Sequence, residues 1–146
     1  MKKNNKGFSL VELIVVVLIM AIIAVALAPQ VMKWVENSRK STDCNNYDSV
    51  VSAVNIALAN EAVMTDIAGK TTTLTWTRGA SPAWAITQTG TAATTNLDNA
   101  IKATLGSGWA TDLQIKRTTD YTAAYTITID ANGTVSRTNA PSANVS

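Results

Sequence analysis

Histidine is absent from the 146-residue chain, and cysteine occurs once, at Cys44. The lack of histidine excludes histidine general bases, Ser-His-Asp triads and histidine metal ligands. A single cysteine excludes an intramolecular disulfide, so packing and hydrogen bonds must hold the fold together. Charged residues make up only 15% of the chain and aromatic residues 5%, which leaves few titratable groups for a catalytic pocket. We therefore expect a protein that is not an enzyme and that uses no cofactor.

One long apolar segment near the N-terminus contrasts with this moderate composition. Residues 13–28 carry no polar side chain, and extending the segment back to Phe8 adds only Ser9 and Glu12 as polar positions. A helix of this length rises about 30 Å, the thickness of a bilayer hydrocarbon core. Three lysines precede the segment and favour an orientation with the N-terminus inside the cell. An ordinary membrane anchor and a conventional signal peptide both agree with these features.

The stretch Lys6-Gly7-Phe8-Ser9-Leu10-Val11-Glu12 supports a third interpretation. Together with its basic leader and the apolar run that follows, it resembles the class III signal of type IV prepilins and pseudopilins. The resemblance implies that residues 1–7 are a leader, that a prepilin peptidase cuts between Gly7 and Phe8, and that the new amino group of Phe8 is then methylated. The chain departs from common family patterns at Ala21, where many members carry glycine, and in lacking a second cysteine that closes a C-terminal loop.

Glu12 separates the third interpretation from the other two. A carboxylate within an apolar helix costs about 2.5–3.5 kcal/mol on the insertion scale, so it requires a partner. Phe8 and Glu12 are four residues apart and share a helix face. If cleavage exposes the amine of Phe8, Glu12 of a neighbouring subunit can meet that cation in a low-dielectric fibre core. The resemblance assigns Glu12 this role, the registration of an incoming subunit during assembly.

The helical pattern continues beyond the apolar segment. Pro29 removes one helix hydrogen bond, and in related pilins a proline here permits a kink. We expect residues 8–30 to form a transmembrane and filament-core helix and residues 31–60 its amphipathic half. The polar stretch Glu36–Asp43 between the apolar clusters of that half is expected to face solvent or neighbouring subunits.

Residues 61–138 predict a β-rich head, followed by a loose tail at residues 139–146. A helix is predicted at Asn96–Leu105, and Asn132-Gly133 has the composition of a hairpin turn. The expected strands are Thr71–Thr77, Ala83–Gln88, Leu113–Thr118, Tyr121–Asp130 and Thr134–Thr138. The predicted fold class is α+β, with the apolar half of the helix protruding and the amphipathic half packed on a small antiparallel meander.

Other candidate sites have simpler interpretations. Asp130–Thr134 resembles the start of a calcium loop but lacks a distal acidic ligand, so we expect a hairpin and no metal site. Cys44 is expected to be a partly packed, unreactive thiol, with an intersubunit disulfide as the alternative. Basic residues could contact DNA but are not clustered with aromatic residues, so nucleic acid is not expected as a direct partner. These basic residues are Arg78, Lys116, Arg117 and Arg137.

The expected function is the major structural subunit of a type IV pilus. The resemblance implies a homo-oligomeric filament assembled from the cytoplasmic membrane with a pilus assembly ATPase and a platform protein, and then displayed outside the cell. One alternative is a pseudopilin or minor pilin of a type II secretion or DNA-uptake system. Another is a secreted threonine-rich β-domain, for instance one that binds carbohydrate, released by a conventional signal peptidase.

Overall fold

A computed structural model of the chain describes residues 7–89, 95–119 and 124–143. The leader up to residue 6, the start of the strand predicted at Tyr121–Asp130 and the end of the predicted tail lie outside the described residues. Two compact units divide the chain, Met1–Val35 and Glu36–Ser146. The fold combines one long N-terminal helix with a small four-stranded antiparallel sheet, which confirms the predicted α+β class.

Helix α1 spans Leu10–Ala57, without a break in its helical assignment. It ends three residues earlier than expected, because Asn60 caps a second helix that the sequence-based prediction missed. The Asn60 side-chain oxygen accepts a hydrogen bond from the amide of Ala62 at 2.9 Å, and α2 then spans Glu61–Ile67. Asparagine is one of the preferred N-cap residues, so the signal for α2 is present in the sequence.

The sheet consists of four antiparallel strands: β1 (Thr72–Thr77), β2 (Trp84–Gln88), β3 (Ala124–Ile129) and β4 (Val135–Thr138). Helices α3 (Thr95–Leu105) and α4 (Trp109–Asp112) separate β2 from β3. The strand order is β2-β1-β3-β4, so the predicted meander is wrong. In a meander β2 would pair with β3. Instead β3 pairs with β1, because α3 and α4 carry the chain from β2 to the opposite edge of β1.

The predicted hairpin at Asn132-Gly133 is confirmed, and it joins β3 to β4. Gly133 has a φ of 84°, a left-handed conformation that glycine adopts without strain. The Asp130 carboxylate accepts hydrogen bonds from the amides of Asn132 and Thr134 at 2.9 and 2.7 Å. The turn is therefore fixed by its own side chain as well as by its glycine.

The core of the second unit lies between the C-terminal part of α1 and one face of the sheet. Its centre is a cluster of aromatic rings in which Trp76 and Trp84 stack with centroids 5.1 Å apart. The Tyr47 hydroxyl reaches from α1 to the sheet and donates a hydrogen bond to the carbonyl oxygen of Thr126 at 2.7 Å. Burial raises the pKa of Tyr47 to about 12. Core packing, not an aromatic surface, therefore accounts for most of the tryptophan content; Trp34 on the first unit is 63% exposed.

Candidate functional site

The N-terminal end of α1 carries the residues for which the sequence predicts a function. Gly7 and Phe8 precede the helix, and Phe8 is 91% exposed. Because α1 begins at Leu10, Ser9 occupies the N-cap position, and its carbonyl oxygen accepts a hydrogen bond from the amide of Leu13 at 3.2 Å. The bond between Gly7 and Phe8 thus lies in non-helical backbone, where a peptidase can reach it without unwinding the helix.

Glu12 caps this helix end, a role that the sequence-based prediction missed. Its Oε2 accepts a hydrogen bond from the backbone amide of Ser9 at 2.9 Å. Ser9 and Glu12 have the Ser-x-x-Glu spacing of a capping box, in which the glutamate satisfies the amide of the N-cap residue. This spacing is visible in the sequence and could have predicted the cap. A carboxylate in the first turn is also favoured by the positive end of the helix dipole.

Large apolar side chains along the first unit are exposed. Their exposed fractions range from 44% for Val35 to 91% for Phe8. By length and composition this helix could cross a membrane. Pro29 lies inside it, and a kink at Pro29 stays a prediction. An apolar surface of this extent marks an interaction with a bilayer or with other apolar surfaces.

The comparison with known families concerns this same segment. Residues 2–28 match the prokaryotic N-terminal methylation motif. This motif is the class III signal peptide of type IV pilin-like proteins, which confirms the resemblance seen in the sequence. It supports a type IV pilin-like or pseudopilin-like protein, from a motif family that is structural rather than enzymatic. No curated protein and no solved structure matches the chain significantly.

The methylation motif includes Gly7, Phe8 and Glu12, but the match assigns them no individual roles. Cleavage between Gly7 and Phe8, methylation of Phe8 and subunit registration by Glu12 therefore stay predictions. Together with the apolar helix, the motif fits membrane anchoring before assembly. The motif also implies processing by a prepilin peptidase.

A second cluster of polar side chains lies on the C-terminal part of α1. Asp43 accepts hydrogen bonds from the amides of Lys116 and Arg117 at 2.7 and 3.0 Å. Glu36 accepts from the amides of Thr118 and Thr119 at 2.6 and 2.8 Å. The two carboxylates are seven residues apart, about two helical turns, and so share a face of the helix. We call these two carboxylates and the amides of residues 116–119 the carboxylate clamp.

The clamp explains why two sequence-based predictions are wrong. The segment Leu113–Thr118 forms no strand, because carboxylates on α1, rather than a neighbouring strand, satisfy the last three amides of this segment and the amide of Thr119 that follows. The polar stretch Glu36–Asp43 is not wholly exposed, since Lys40 is 5% exposed and Asp43 is fully buried. These hydrogen bonds join residues more than 70 positions apart in the chain, so no local sequence pattern predicts them.

The clamp holds one buried ion pair and one strongly acidic carboxyl group. The Arg117 Nε lies 3.0 Å from Asp43 Oδ2, and the two side chains are 2% and 0% exposed. At Glu36, desolvation raises the pKa, but hydrogen bonds from Thr118 and Thr119 outweigh it and lower the pKa from 4.5 to about 2. Glu36 therefore keeps its charge, and its grip on these amides, well below neutral pH.

The remaining predicted sites are distributed over the second unit. Arg117 is buried in the clamp and Arg137 pairs with Asp48 at 2.7 Å, so these two cations do not form an open basic patch. Cys44 is half-buried, with its Sγ 3.5 Å from the carbonyl oxygen of Pro141. Within residues 7–89, 95–119 and 124–143 no group of three metal-ligating side chains is found.

Proposed function

We propose that this chain is the major structural subunit of a type IV pilus. In this proposal the precursor sits in the cytoplasmic membrane with its N-terminus inside and is cut between Gly7 and Phe8. The mature chain is methylated at Phe8 and extracted by an assembly ATPase and a platform protein into a helical filament outside the cell. The proposal rests chiefly on one observation: the methylation motif begins an apolar helix whose large side chains are at least 44% exposed in the described residues of its unit.

A filament accounts for this apolar surface better than a permanent anchor does. Lipid alone could cover the helix, but it offers the charge of Glu12 no cationic partner, and a charge within the hydrocarbon is costly. In a filament core, sister helices bury the apolar side chains, and the amine of Phe8 on a neighbouring subunit gives Glu12 a cationic partner. A charge-assisted hydrogen bond of this kind is about twice as strong as a neutral one.

The capping contact of Glu12 offers a competing explanation, and one pair of variants separates the two. Glu12→Gln keeps a side-chain oxygen that can accept from the amide of Ser9, since glutamine also serves in capping boxes, but it has no charge. Glu12→Ala removes both the cap and the charge. If registration depends on the ion pair, both variants are processed and neither forms filaments. If Glu12 acts only as a cap, Glu12→Gln assembles normally.

Three measurements test the proposal as a whole. N-terminal sequencing and mass spectrometry of the exported protein should give a methylated phenylalanine start at Phe8. A start at Leu27 or Pro29, as expected after cleavage by a conventional signal peptidase, would refute the proposal that the chain is a pilin. Electron microscopy of cells should show long surface fibres containing the chain, and fibres should disappear in Glu12→Gln. Fibres that form without this chain would point instead to a minor pilin or pseudopilin.

A further inference from the structure

Two charged side chains mark the ends of the apolar part of α1. Between Glu12 and Lys33 lie 20 residues, 13–32, that carry no charge, and their large apolar side chains are exposed. The helix continues without a break across this stretch, so the stretch is about 30 Å long at a rise of about 1.5 Å per residue. The hydrocarbon core of a bilayer is also about 30 Å thick. The uncharged stretch therefore has the length that one bilayer core can bury.

The two charges restrict the depth at which a bilayer can hold this helix. Moving the helix towards its leader would draw Lys33 into the hydrocarbon, and moving it the other way would draw in Glu12. A charged side chain is costly there, although a lysine near the end of the span can extend its ammonium group to the headgroups. One depth is therefore favoured, with Glu12 at one surface of the hydrocarbon core and Lys33 at the other.

Trp34 lies at the second of these surfaces. It follows Lys33 directly and is 63% exposed. The indole ring is apolar but its N–H donates hydrogen bonds, and tryptophan is enriched where hydrocarbon meets headgroups. Gln30 is four residues earlier on the same face of the helix and is also exposed. Side chains that can donate to the carbonyl and phosphate oxygens of lipids are thus grouped at this level.

The exposure of Trp34 sets it apart from the other tryptophans of the chain. The other three are at most 2% exposed and pack in the core of the second unit: Trp76, Trp84 and Trp109. Val31 and Val35, one turn before Trp34 and next to it, are 46% and 44% exposed. An apolar patch of this kind, continuous with the membrane-spanning stretch and bordered by a lysine, is complementary to the boundary between acyl chains and anionic phosphates.

We propose that Gln30, Lys33 and Trp34 bind phospholipid headgroups and so set the depth of the chain in the membrane before assembly. We call these three residues the interfacial turn. The ammonium group of Lys33 pairs with lipid phosphate, while the indole N–H and the glutamine amide donate to lipid oxygens. That these are headgroups of the outer leaflet rests on the proposed function, which puts the leader inside the cell. The contact with headgroups itself requires only that the chain inserts in a bilayer.

Depth-dependent quenching of tryptophan fluorescence tests the proposal on single chains. The full chain with its leader is inserted at low protein density into phosphatidylcholine vesicles, and flotation shows whether it is bound. The lipids of both leaflets carry a nitroxide quencher on the headgroup, near the top of the acyl chain or at the chain end. Subtracting the signal of Trp34→Phe isolates Trp34, because the three buried tryptophans remain in both proteins. Quenching of Trp34 should be strongest with the two shallow nitroxides and weakest at the chain end.

A matched variant moves the indole to the middle of the span. Ile23 is eleven residues from both Glu12 and Trp34 and is 50% exposed. The double variant Ile23→Trp/Trp34→Phe therefore places the ring about 17 Å from each surface of the hydrocarbon core. Its indole should show the opposite order of quenching, strongest with the nitroxide at the chain end.

Three results would overturn the proposal. Strongest quenching of Trp34 at the chain end would place the ring inside the hydrocarbon. Absence of quenching at Trp34, while the indole of Ile23→Trp/Trp34→Phe is quenched, would place it in water or against protein. A chain that does not float with the vesicles has no headgroup contact at all. The pilus function is tested separately, since a chain with the expected quenching that forms no surface fibres in cells would refute the pilus and leave the interfacial turn in place.

Discussion

Replacing Glu36 with glutamine removes the charge from a carboxylate that accepts four hydrogen bonds from Thr118 and Thr119. The side chain of Glu36 is 14% exposed, so its charge is only partly screened by water. Lowering its pKa from 4.5 to about 2 corresponds to about 3 kcal/mol of stabilisation at about 1.4 kcal/mol per pH unit. Allowing for solvent screening near the surface, we expect the free energy of unfolding to fall by about 2 kcal/mol in Glu36→Gln at neutral pH.

The pH dependence of this difference follows from the direction of the pKa change. Because the folded state lowers the pKa of Glu36, its contribution is fully present above about pH 4.5 and is lost as the pH falls towards 2. The two proteins should therefore differ most at neutral pH and converge near pH 2. Other carboxyl groups titrate in both proteins, so the difference between them isolates Glu36.

Urea unfolding in detergent micelles, followed by fluorescence of the buried tryptophans, measures this difference. Hydrogen exchange at the amides of Thr118 and Thr119 gives a local reading and should accelerate in Glu36→Gln. Glu61→Gln, at the exposed start of α2, is the matched control and should alter stability by only a few tenths of a kcal/mol. Equal stability of Glu36→Gln and the unmodified chain at neutral pH, or a difference that persists at pH 2, would refute the assigned role of the clamp.

Three further substitutions test other parts of the second unit by the same urea assay. Asp43→Asn leaves the buried guanidinium of Arg117 without its counter-charge and should lower the free energy of unfolding by about 3–5 kcal/mol. Adding Arg117→Met to this variant should recover part of the lost stability. No recovery would argue against the ion pair as the cause. Tyr47→Phe removes the donor to Thr126 and should cost about 1 kcal/mol; an unchanged urea midpoint would mean that water replaces the hydroxyl. Gly133→Ala places a Cβ in a left-handed turn and should cost about 1 kcal/mol, whereas a gain in stability would contradict the turn geometry.

Local patterns in the sequence predicted the elements that local physics determines. The apolar run at residues 13–28, the helical spacing around Ile101 and the turn at Asn132-Gly133 each depend on residues close together in the chain, and all three are confirmed. Strand β1 was also predicted, but not its pairing with β3, because strand order depends on contacts between segments separated by two helices. A hairpin from β1 to β2 is compatible with either order.

The candidate sites divide in the same way. The methylation motif lies within one short segment, so it was visible in the sequence. The Ser-x-x-Glu spacing of the capping box was equally visible, although the sequence-based prediction did not include the cap. The carboxylate clamp joins Glu36 and Asp43 to a segment that the sequence-based prediction assigned to a strand. Backbone amides need hydrogen-bond partners, which a neighbouring strand normally supplies. Here the two carboxylates accept from the amides of residues 116–119, so no strand partner is needed.

Glu12 links the capping contact to the proposed assembly. Before cleavage its carboxylate has a neutral partner, the amide of Ser9, so the precursor can place it near a membrane without leaving it unpaired. Cleavage would put a cationic amine at Phe8, beside the positive end of the helix dipole, where a positive charge is disfavoured. In a dry filament core that amine and the carboxylate of a neighbouring subunit attract each other more strongly than the amide of Ser9 and Glu12 do, because two full charges then interact instead of a charge and a dipole. Exchange of partners is then favourable only beside a cleaved subunit, so on this proposal an uncleaved precursor is excluded from the filament because it offers no amine at Phe8 to the Glu12 of its neighbour.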